Sequence, residues 1–159
     1  MHTISLLVVN KPGVLVRCAQ VFARRGFNID SLVVSSSVNP KYSRMTITAQ
    51  GDPATLDQII KQTGKLIDVI NAEEHTGKDS VDREYALLKI KCPPDKRDAI
   101  MQVIKGRAHV IEESEEILVL GQAGTTEQLN ALEGKLKEFG ILEMVRSGKL
   151  VMAKGKRTT

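Results

Sequence analysis

Along this chain, segments whose apolar residues have the spacing of β-strands alternate with segments whose apolar residues have the spacing of α-helices. Ile4–Val9 is a nearly continuous apolar run, which predicts a central strand buried on both faces. The apolar positions of Leu15–Phe22 follow at helical spacing, and Gly26 predicts the end of that helix. A second strand is predicted over Phe27–Ser36, where the apolar phase slips and indicates a bulge or a late strand start.

The rest of the first half completes the same pattern. Polar and apolar residues alternate over Arg44–Gln50, which predicts a strand with one wet face. Asp52 followed by Pro53 has the form of a helix cap with proline in the first helical position. The apolar run Leu66–Ala72 predicts a closing strand. The predicted order is therefore βαββαβ.

This order returns after a polar stretch. Glu84–Cys92 alternates as a strand, and Pro93 and Pro94 open a helix that is predicted to end at Gly106. The remaining predicted elements are a hairpin over 107–112 and 117–122, a helix from Thr125 to Gly140 with Gln128 completing a capping box, and a strand over 141–146 whose alternation continues across Gly148 to Met152.

The two halves predict an α+β protein of two tandem ferredoxin-like βαββαβ units, each a four-stranded antiparallel sheet backed by two helices. We expect the first unit over residues 1–74, a linker over 75–83 and the second unit over 84–159. In this topology the second strand lies on a sheet edge. An edge strand invites pairing with another copy unless it is blocked.

Composition narrows the classes of function. The chain has 159 residues, a net charge of +4 and only 3% aromatic residues, so base stacking on single-stranded nucleic acid is disfavoured. Basic residues are dispersed and no nucleic-acid-binding motif is present, so we expect no nucleic-acid partner. Cys18 and Cys92 lack CxxC spacing and are expected to be buried thiols in a reducing compartment. With no secretory signal and no apolar run long enough to cross a bilayer, the expectation is a cytoplasmic protein that does not enter a membrane.

The loop between the first strand and the first helix is the leading candidate site. Gly13 lets a ligand approach the backbone, and the amides at a helix start attract anions such as a carboxylate. Asn10 offers both a donor and an acceptor, and Val14, Leu15 and Ile29 could line a small apolar pocket. Asn28, at the start of the edge strand, is placed to reach a ligand held by a second copy. From the residues alone, a ligand site and a plain turn capped by Asn10 account for this loop equally well.

Other polar residues give weaker patterns. His2, His75 and His109 are far apart in sequence and are expected to be solvated. The acidic run Glu112–Glu116 could hold a divalent cation, although a polar hairpin tip is the simpler interpretation because no calcium-loop pattern accompanies it. The residues suggest no nucleophile with a neighbouring base, so we expect neither a catalytic residue nor a metal site.

Several segments together carry a family resemblance. The chain resembles the regulatory (small) subunits of acetolactate synthase, also called acetohydroxyacid synthase, and its first unit resembles an ACT domain. The matching segments are Asn10–Leu15, Arg25–Leu32, Ser43–Thr46, Lys65–Val69, Arg83–Glu84, Leu87–Ile90 and Arg146–Gly148.

This resemblance implies a subunit without an active site. It implies a separate catalytic (large) subunit that uses thiamine diphosphate, magnesium and FAD, with no cofactor in this chain. The family member activates that subunit and makes it sensitive to feedback inhibition by valine, in the biosynthesis of branched-chain amino acids. Valine is expected between two ACT domains of a homodimer, bound by Asn10, Gly13, Val14 and Leu15 of one copy and by Asn28 and Ile29 of the other.

Two other classes of function stay open at this stage. One is a stand-alone ACT-type amino-acid sensor that regulates another enzyme or transcription. The other is a small enzyme on a ferredoxin-like scaffold, because this scaffold carries many functions.

The second unit has no counterpart of Asn10 or Gly13, so we expect one type of effector site, in the first unit only.

Overall fold

The computed structural model describes residues 1–75 and 79–158 and contains two antiparallel sheets with helices packed on them. It confirms the predicted α+β class with βαββαβ units. The strands are β1 (His2–Val9), β2 (Ile29–Ser36), β3 (Tyr42–Ala49), β4 (Val69–Glu74), β5 (Ser80–Lys91), β6 (His109–Ser114), β7 (Ile117–Gly124), β8 (Ile141–Arg146) and β9 (Leu150–Ala153). The helices are α1 (Val14–Arg24), α2 (Pro53–Thr63), α3 (Arg97–Ile104) and α4 (Thr126–Leu136), with 3₁₀ turns at Pro94–Lys96 and Lys137–Phe139.

The first sheet has the strand order β2-β3-β1-β4, so β1 is central and β2 lies at an edge, as the topology predicts. The pairing of β2 with β3 shifts between Ile29 and Ser31. The strand therefore both starts late and contains the bulge that the slipped apolar phase indicated. Alternate residues of the sheet form one hydrophobic core with α1 and α2, which includes Leu6, Phe22 and Ile59.

The helix ends of the first unit follow from local chemistry. Gly13 is the N-cap of α1 and has φ of 84°, a left-handed conformation that glycine adopts without a Cβ penalty. The Asp52 side chain accepts a hydrogen bond from the Thr55 N–H, and Pro53 follows at the start of α2, as expected.

The second sheet has the order β6-β7-β5-β8, with α3 and α4 on one face. Its core residues on β5 alternate as predicted, with Ala86, Leu88 and Ile90 buried. Thr125 and Gln128 form the predicted capping box at the start of α4. The other face of this sheet carries half-exposed apolar side chains, among them Leu87 and Val145.

The compact units differ from the expected boundaries at the C-terminus. Contacts divide the chain into Met1–Asp82 together with the segment from Gly148 onward, and Arg83–Ser147. The segment joins the first unit because β9 pairs with β5 and the Lys154 N–H donates to the Asp79 carbonyl, 2.9 Å apart. Of the expected linker, residues 80–83 are already strand. Residues 76–78 lie outside the described residues.

The C-terminal segment lies on the polar face of the first sheet, opposite the helices. The Arg44 guanidinium donates to the Val151 carbonyl at 3.0 Å. A Cβ at Gly148 would come within 3.1 Å of Val33 Cγ2, so this glycine makes a close approach to β2. Under this cover Ser5 is fully buried, and its hydroxyl lies 2.7 Å from His75 Nε2. The expectation of a solvated His75 is therefore wrong.

Candidate effector site

The loop between β1 and α1 is anchored at Asn10. The Asn10 backbone N–H donates to the Lys41 carbonyl at 2.8 Å, and its side-chain amide donates to the Pro40 carbonyl at 3.0 Å. The residue is exposed. The side-chain bond uses one of the two amide donors, so the other donor and the amide oxygen remain for a ligand.

Gly13 sets the start of α1 and the access to its backbone. A helix begins with N–H groups that have no partner within the helix, and they form its positive end. Glycine supplies no side chain that could cap those groups. A Cβ added at Gly13 would lie 3.2 Å from Arg17 Nη1, so a larger residue would crowd the helix start. The arrangement suits a small anion that approaches along the helix axis.

Three charged side chains stand beside this loop. The carboxylate of Asp68, just before β4, is 5% exposed and forms ion pairs with Lys11 at 2.6 Å and with Arg17. The hydrogen bond from Lys11, with a further contribution from Arg17, lowers the pKa of the Asp68 carboxyl against the opposing effect of desolvation. Two cations against one carboxylate leave a net charge of +1, which adds to the positive end of the helix.

The two apolar residues of the loop have different surroundings. Val14 is 2% exposed and belongs to the core of the first unit, whereas Leu15 is 40% exposed. The Val14 side chain therefore does not line a pocket, and the residue has only its backbone N–H to offer a ligand. Leu15, in the first turn of α1, has apolar surface available for a ligand side chain.

The residues from the edge strand lie at the opposite end of the sheet. Ile29 pairs with Ala49, which pairs with His2, while Asn10 follows the other end of β1. An eight-residue strand is roughly 24 Å long. Asn28 is exposed and Ile29 is half-buried against the core. Within one chain, the structure thus brings Asn10, Gly13, Val14 and Leu15 together in one loop and keeps Asn28 and Ile29 away from it.

No local sequence pattern predicts the cluster of Lys11, Asp68 and Arg17. Asp68 is 51 residues from Arg17, and charged residues of both signs are frequent along the chain. Only the antiparallel pairing of β1 with β4 brings them together, since the Val9 N–H donates to the Asp68 carbonyl at 2.8 Å. The one local hint is the i, i+4 spacing of Gly13 and Arg17, which places the guanidinium over the helix start.

The remaining candidates stay apart. His2 lies 2.9 Å from the Glu74 carboxylate, and His109 lies 3.2 Å from the Tyr85 hydroxyl. Among residues 1–75 and 79–158 no group of three His, Cys, Asp or Glu side chains is arranged to hold a metal ion, and the Glu112–Glu116 run forms the end of a hairpin. No helix in the described part of the chain is both long enough and apolar enough to cross a membrane.

Comparison with known proteins identifies the family of this chain. Residues 4–71 match the AHAS small subunit-like ACT domain, and residues 83–155 match the family model described as the small subunit of acetolactate synthase. The chain belongs to the acetolactate synthase small subunit family. This confirms the resemblance found in the sequence segments.

Individual members of the acetolactate synthase small subunit family are similar over almost the full length. The acetolactate synthase small subunit of Mycolicibacterium smegmatis is 42% identical over 157 residues, covering 98% of this chain and 92% of that protein. The one from Mycobacterium leprae is 40% identical over 157 residues, with coverages of 98% and 93%. The crystal structure of the Thermotoga maritima acetolactate synthase small subunit superposes with a TM-score of 0.87 at 35% identity, covering 98% of both chains.

Proposed function

We propose that this chain is the non-catalytic regulatory subunit of a cytoplasmic acetolactate synthase, which activates the catalytic subunit and makes it sensitive to valine. The supporting observation is the separation of the loop from the start of β2. A site containing both Asn10 and Asn28 requires two copies of the chain, so ligand binding and association are coupled.

The edge strand offers a way to assemble that site. A two-fold axis beside β2 would pair it antiparallel with the β2 of a second copy. Ser36, at the end of β2, pairs with Ser43, which pairs with Val8, so this end of β2 lies on the same side as the effector loop. Antiparallel pairing therefore carries the start of the second copy's β2, with its Asn28 and Ile29, to the loop end of the first sheet. The proposed homodimer forms through the ACT domains in this way.

The chemistry of the assembled site suits a small aliphatic amino acid. The amides at the start of α1 and the net charge of Lys11, Asp68 and Arg17 favour a carboxylate. The side-chain amide oxygen of Asn10, or that of Asn28 in the second copy, can accept a hydrogen bond from the ammonium group. Leu15 supplies apolar surface at 40% exposure, and Ile29 of the second copy supplies the opposite wall. Valine is the effector that we propose.

Regulation then follows from differential affinity. A ligand that touches two copies binds only their paired arrangement, and it shifts the equilibrium toward that arrangement. Valine has few heavy atoms, so we expect micromolar to millimolar affinity, well below the ceiling of about 1.5 kcal/mol per heavy atom. One methylene changes binding by only about 1–3 kcal/mol, so leucine and isoleucine should compete at higher concentrations.

The partner in this proposal is the large subunit of acetolactate synthase. In it we place the thiamine diphosphate, magnesium and FAD, and no step of the reaction is assigned to the present chain. The role of this chain is to change the activity of the partner according to the occupancy of the effector site.

The test is acetolactate formation from pyruvate by the cognate catalytic subunit, measured with and without this chain across a valine titration. We expect stimulation by the chain and reversal of that stimulation by valine. Stimulation without a valine response would contradict the effector assignment, and an absence of stimulation would contradict the partner. A Leu15→Ser variant should retain stimulation and require more valine for half-maximal inhibition.

A further inference from the structure

The second unit contains a cleft at the corner that corresponds to the effector loop of the first unit. Its volume is about 380 Å³, within the range of small-molecule sites. Three chain segments form it: the connection from β5 to α3, the turn between β6 and β7, and the approach to β8. The lining residues are Lys91, Pro93, Lys96, Glu115, Glu116, Ile117, Phe139 and Leu142.

Charges of both signs line this cleft without neutralising each other. Lys91 is the last residue of β5, Lys96 lies in the 3₁₀ turn before α3, and Glu115 and Glu116 form the hairpin turn. All four are exposed, and none of them forms an ion pair with another described residue. At the corresponding corner of the first unit, by contrast, the basic side chains of Lys11 and Arg17 already form ion pairs with Asp68.

Backbone hydrogen bonds hold in place the two chain segments that carry the lysines and the glutamates. The Lys91 N–H donates to the Gly140 carbonyl at 3.0 Å, and the Lys91 side-chain stem passes 3.5 Å from where a Cβ of Gly140 would lie. Gly140 has φ of 90°, a backbone conformation that favours glycine. On the other wall, the Cys92 N–H donates to the Glu116 carbonyl at 2.7 Å, which holds the turn against the strand.

Apolar side chains complete the lining between the charged walls. Phe139 and Ile117 are half-buried, and Phe139 packs against the core of the second unit. Leu142 is 48% exposed. Ile117 on β7 pairs directly with Lys91 on β5, which places apolar surface beside the aliphatic part of the lysine side chain.

From this lining we infer that the cleft is a second small-molecule site, which takes the zwitterion of an α-amino acid with an apolar side chain. The lysines bind the carboxylate, the glutamates bind the ammonium group, and Ile117, Phe139 and Leu142 contact the side chain. This inference departs from the expectation of one type of effector site, in the first unit only. One copy supplies every group, so binding here is independent of dimerisation and of the proposed valine site.

The test uses the full chain, with L-leucine as the probe and residue-resolved NMR as the readout. We expect leucine to shift the backbone amides of Lys91, Ile117 and Leu142 at concentrations up to the order of 10 mM, the weak affinity of a small ligand. Shifts at Leu15 and Asn28 report the first unit separately, so a failure of the proposed valine site and a failure of this cleft are distinguishable.

Two ligand analogues test the zwitterion. Leucinamide lacks the carboxylate and 4-methylpentanoate lacks the ammonium group, and each should bind about tenfold or more weakly than leucine. The double variant Lys91→Gln with Lys96→Gln should lose the same factor for leucine, whereas Lys105→Gln, an exposed lysine outside the cleft, should not. Spectra of the variants also report whether the fold is intact.

Two results would overturn the inference. The first is an absence of leucine-dependent shifts around the cleft in a folded wild-type chain. The second is equal binding of leucine and 4-methylpentanoate, which would leave the glutamate wall without a role and the cleft as a site for a simple carboxylate.

Discussion

The ammonium of Lys11 lies 2.6 Å from the carboxylate of Asp68, a side chain that is almost fully buried beside the start of the first helix. Arg17 binds the second oxygen of the same carboxylate. The loop that precedes α1 and the first turn of α1 are thereby attached to the residue that precedes β4. This ion-pair cluster holds the candidate effector loop in place before any ligand arrives.

Replacing Asp68 with asparagine should loosen the loop and weaken the response to valine. The Lys11 hydrogen bond, aided by Arg17, lowers the pKa of Asp68 in the folded chain, so the unfolded chain takes up the proton first as the pH falls. The stabilisation is therefore complete above about pH 4 and is lost as the pH falls through the lowered pKa. Thermal unfolding of wild type and Asp68→Asn between pH 7 and pH 3 should converge at the acid end.

The control for Asp68 is Asp57, whose carboxylate pairs with Lys61 on the surface of α2. An exposed helical pair of this kind contributes little. The Asp57→Asn variant should unfold like wild type over the same pH range. Equal behaviour of the Asp57 and Asp68 variants would contradict an anchoring role for Asp68.

Replacing Gly13 with aspartate should abolish the valine response. The Cβ of the new side chain would lie 3.2 Å from Arg17 Nη1, beside the backbone that is proposed to bind the valine carboxylate. The aspartate would also place a negative charge where the negatively charged carboxylate of valine binds. A non-glycine residue at φ of 84° also costs about 1–3 kcal/mol of stability. The measurement is valine inhibition of the reconstituted acetolactate synthase, together with the unfolding temperature of the variant.

Gly106 provides a matched control for the backbone strain. It has φ of 69°, and no atom lies within 4 Å of the position its Cβ would take. Gly106→Asp should show a similar loss of stability and keep the valine response. If Gly13→Asp kept that response as well, the effector loop would be wrongly assigned.

His75 should make the stability of the first unit depend on pH in the range near neutrality. Burial first, and then the Arg44 and Arg157 charges, lower the pKa of the imidazole, while Glu73 opposes them. The unfolded chain binds the proton more readily, so stability is complete above about pH 6.5 and falls as the pH drops from there toward the lowered pKa. Denaturant unfolding at pH 7.5 and pH 5.5 measures the difference, and His75→Gln should remove its imidazole component.

An exposed histidine serves as the comparison. His109 contacts the Tyr85 hydroxyl at the surface of the second unit, and His109→Gln is the matched variant to be measured at the same two pH values. If the pH dependence of the free energy of unfolding survived in His75→Gln and disappeared in His109→Gln, the role given to His75 would be contradicted.

The strand β9 offers a test of the C-terminal segment at two adjacent positions. Val151 is 6% exposed and Leu150 is 52% exposed. Val151→Ser should lower the free energy of unfolding by about 1.5–3 kcal/mol, the value of burying such a side chain, and should speed hydrogen exchange in β1 and β3. Leu150→Ser should change neither quantity by much, and equal effects of the two would argue against a docked strand.

Local patterns were sufficient to predict most of the fold. The capping box of Thr125 and Gln128, the Asp52 cap and the slipped phase of β2 each depend on residues within a few positions of one another, and the structure contains all three. The alternation along β5 likewise identified the buried face of the second sheet. Short-range spacing determines these features because helix and strand periods act within one element.

Contacts between distant residues could not be predicted in the same way. Asp68 and the His75–Ser5 pair are defined by partners that are 51 to 70 residues away. The alternation along β3 predicts a strand with one wet face, and only the fold shows that the last segment covers that face. The position of Val14 directly after Gly13 predicts a side chain that lines the ligand pocket, but the helix turns this side chain into the core.

The assignment of the last segment to the first unit has a consequence for biosynthesis. Residues 1–82 leave the ribosome long before Gly148 and the strand that follows it, so the first unit acquires its covering strand only after all of the second unit has been synthesised. The polar face of its sheet stays open to water and to other chains during that interval. A change in the segment from Gly148 onward would consequently act on the N-terminal unit, from which it is separated in sequence by the whole second unit.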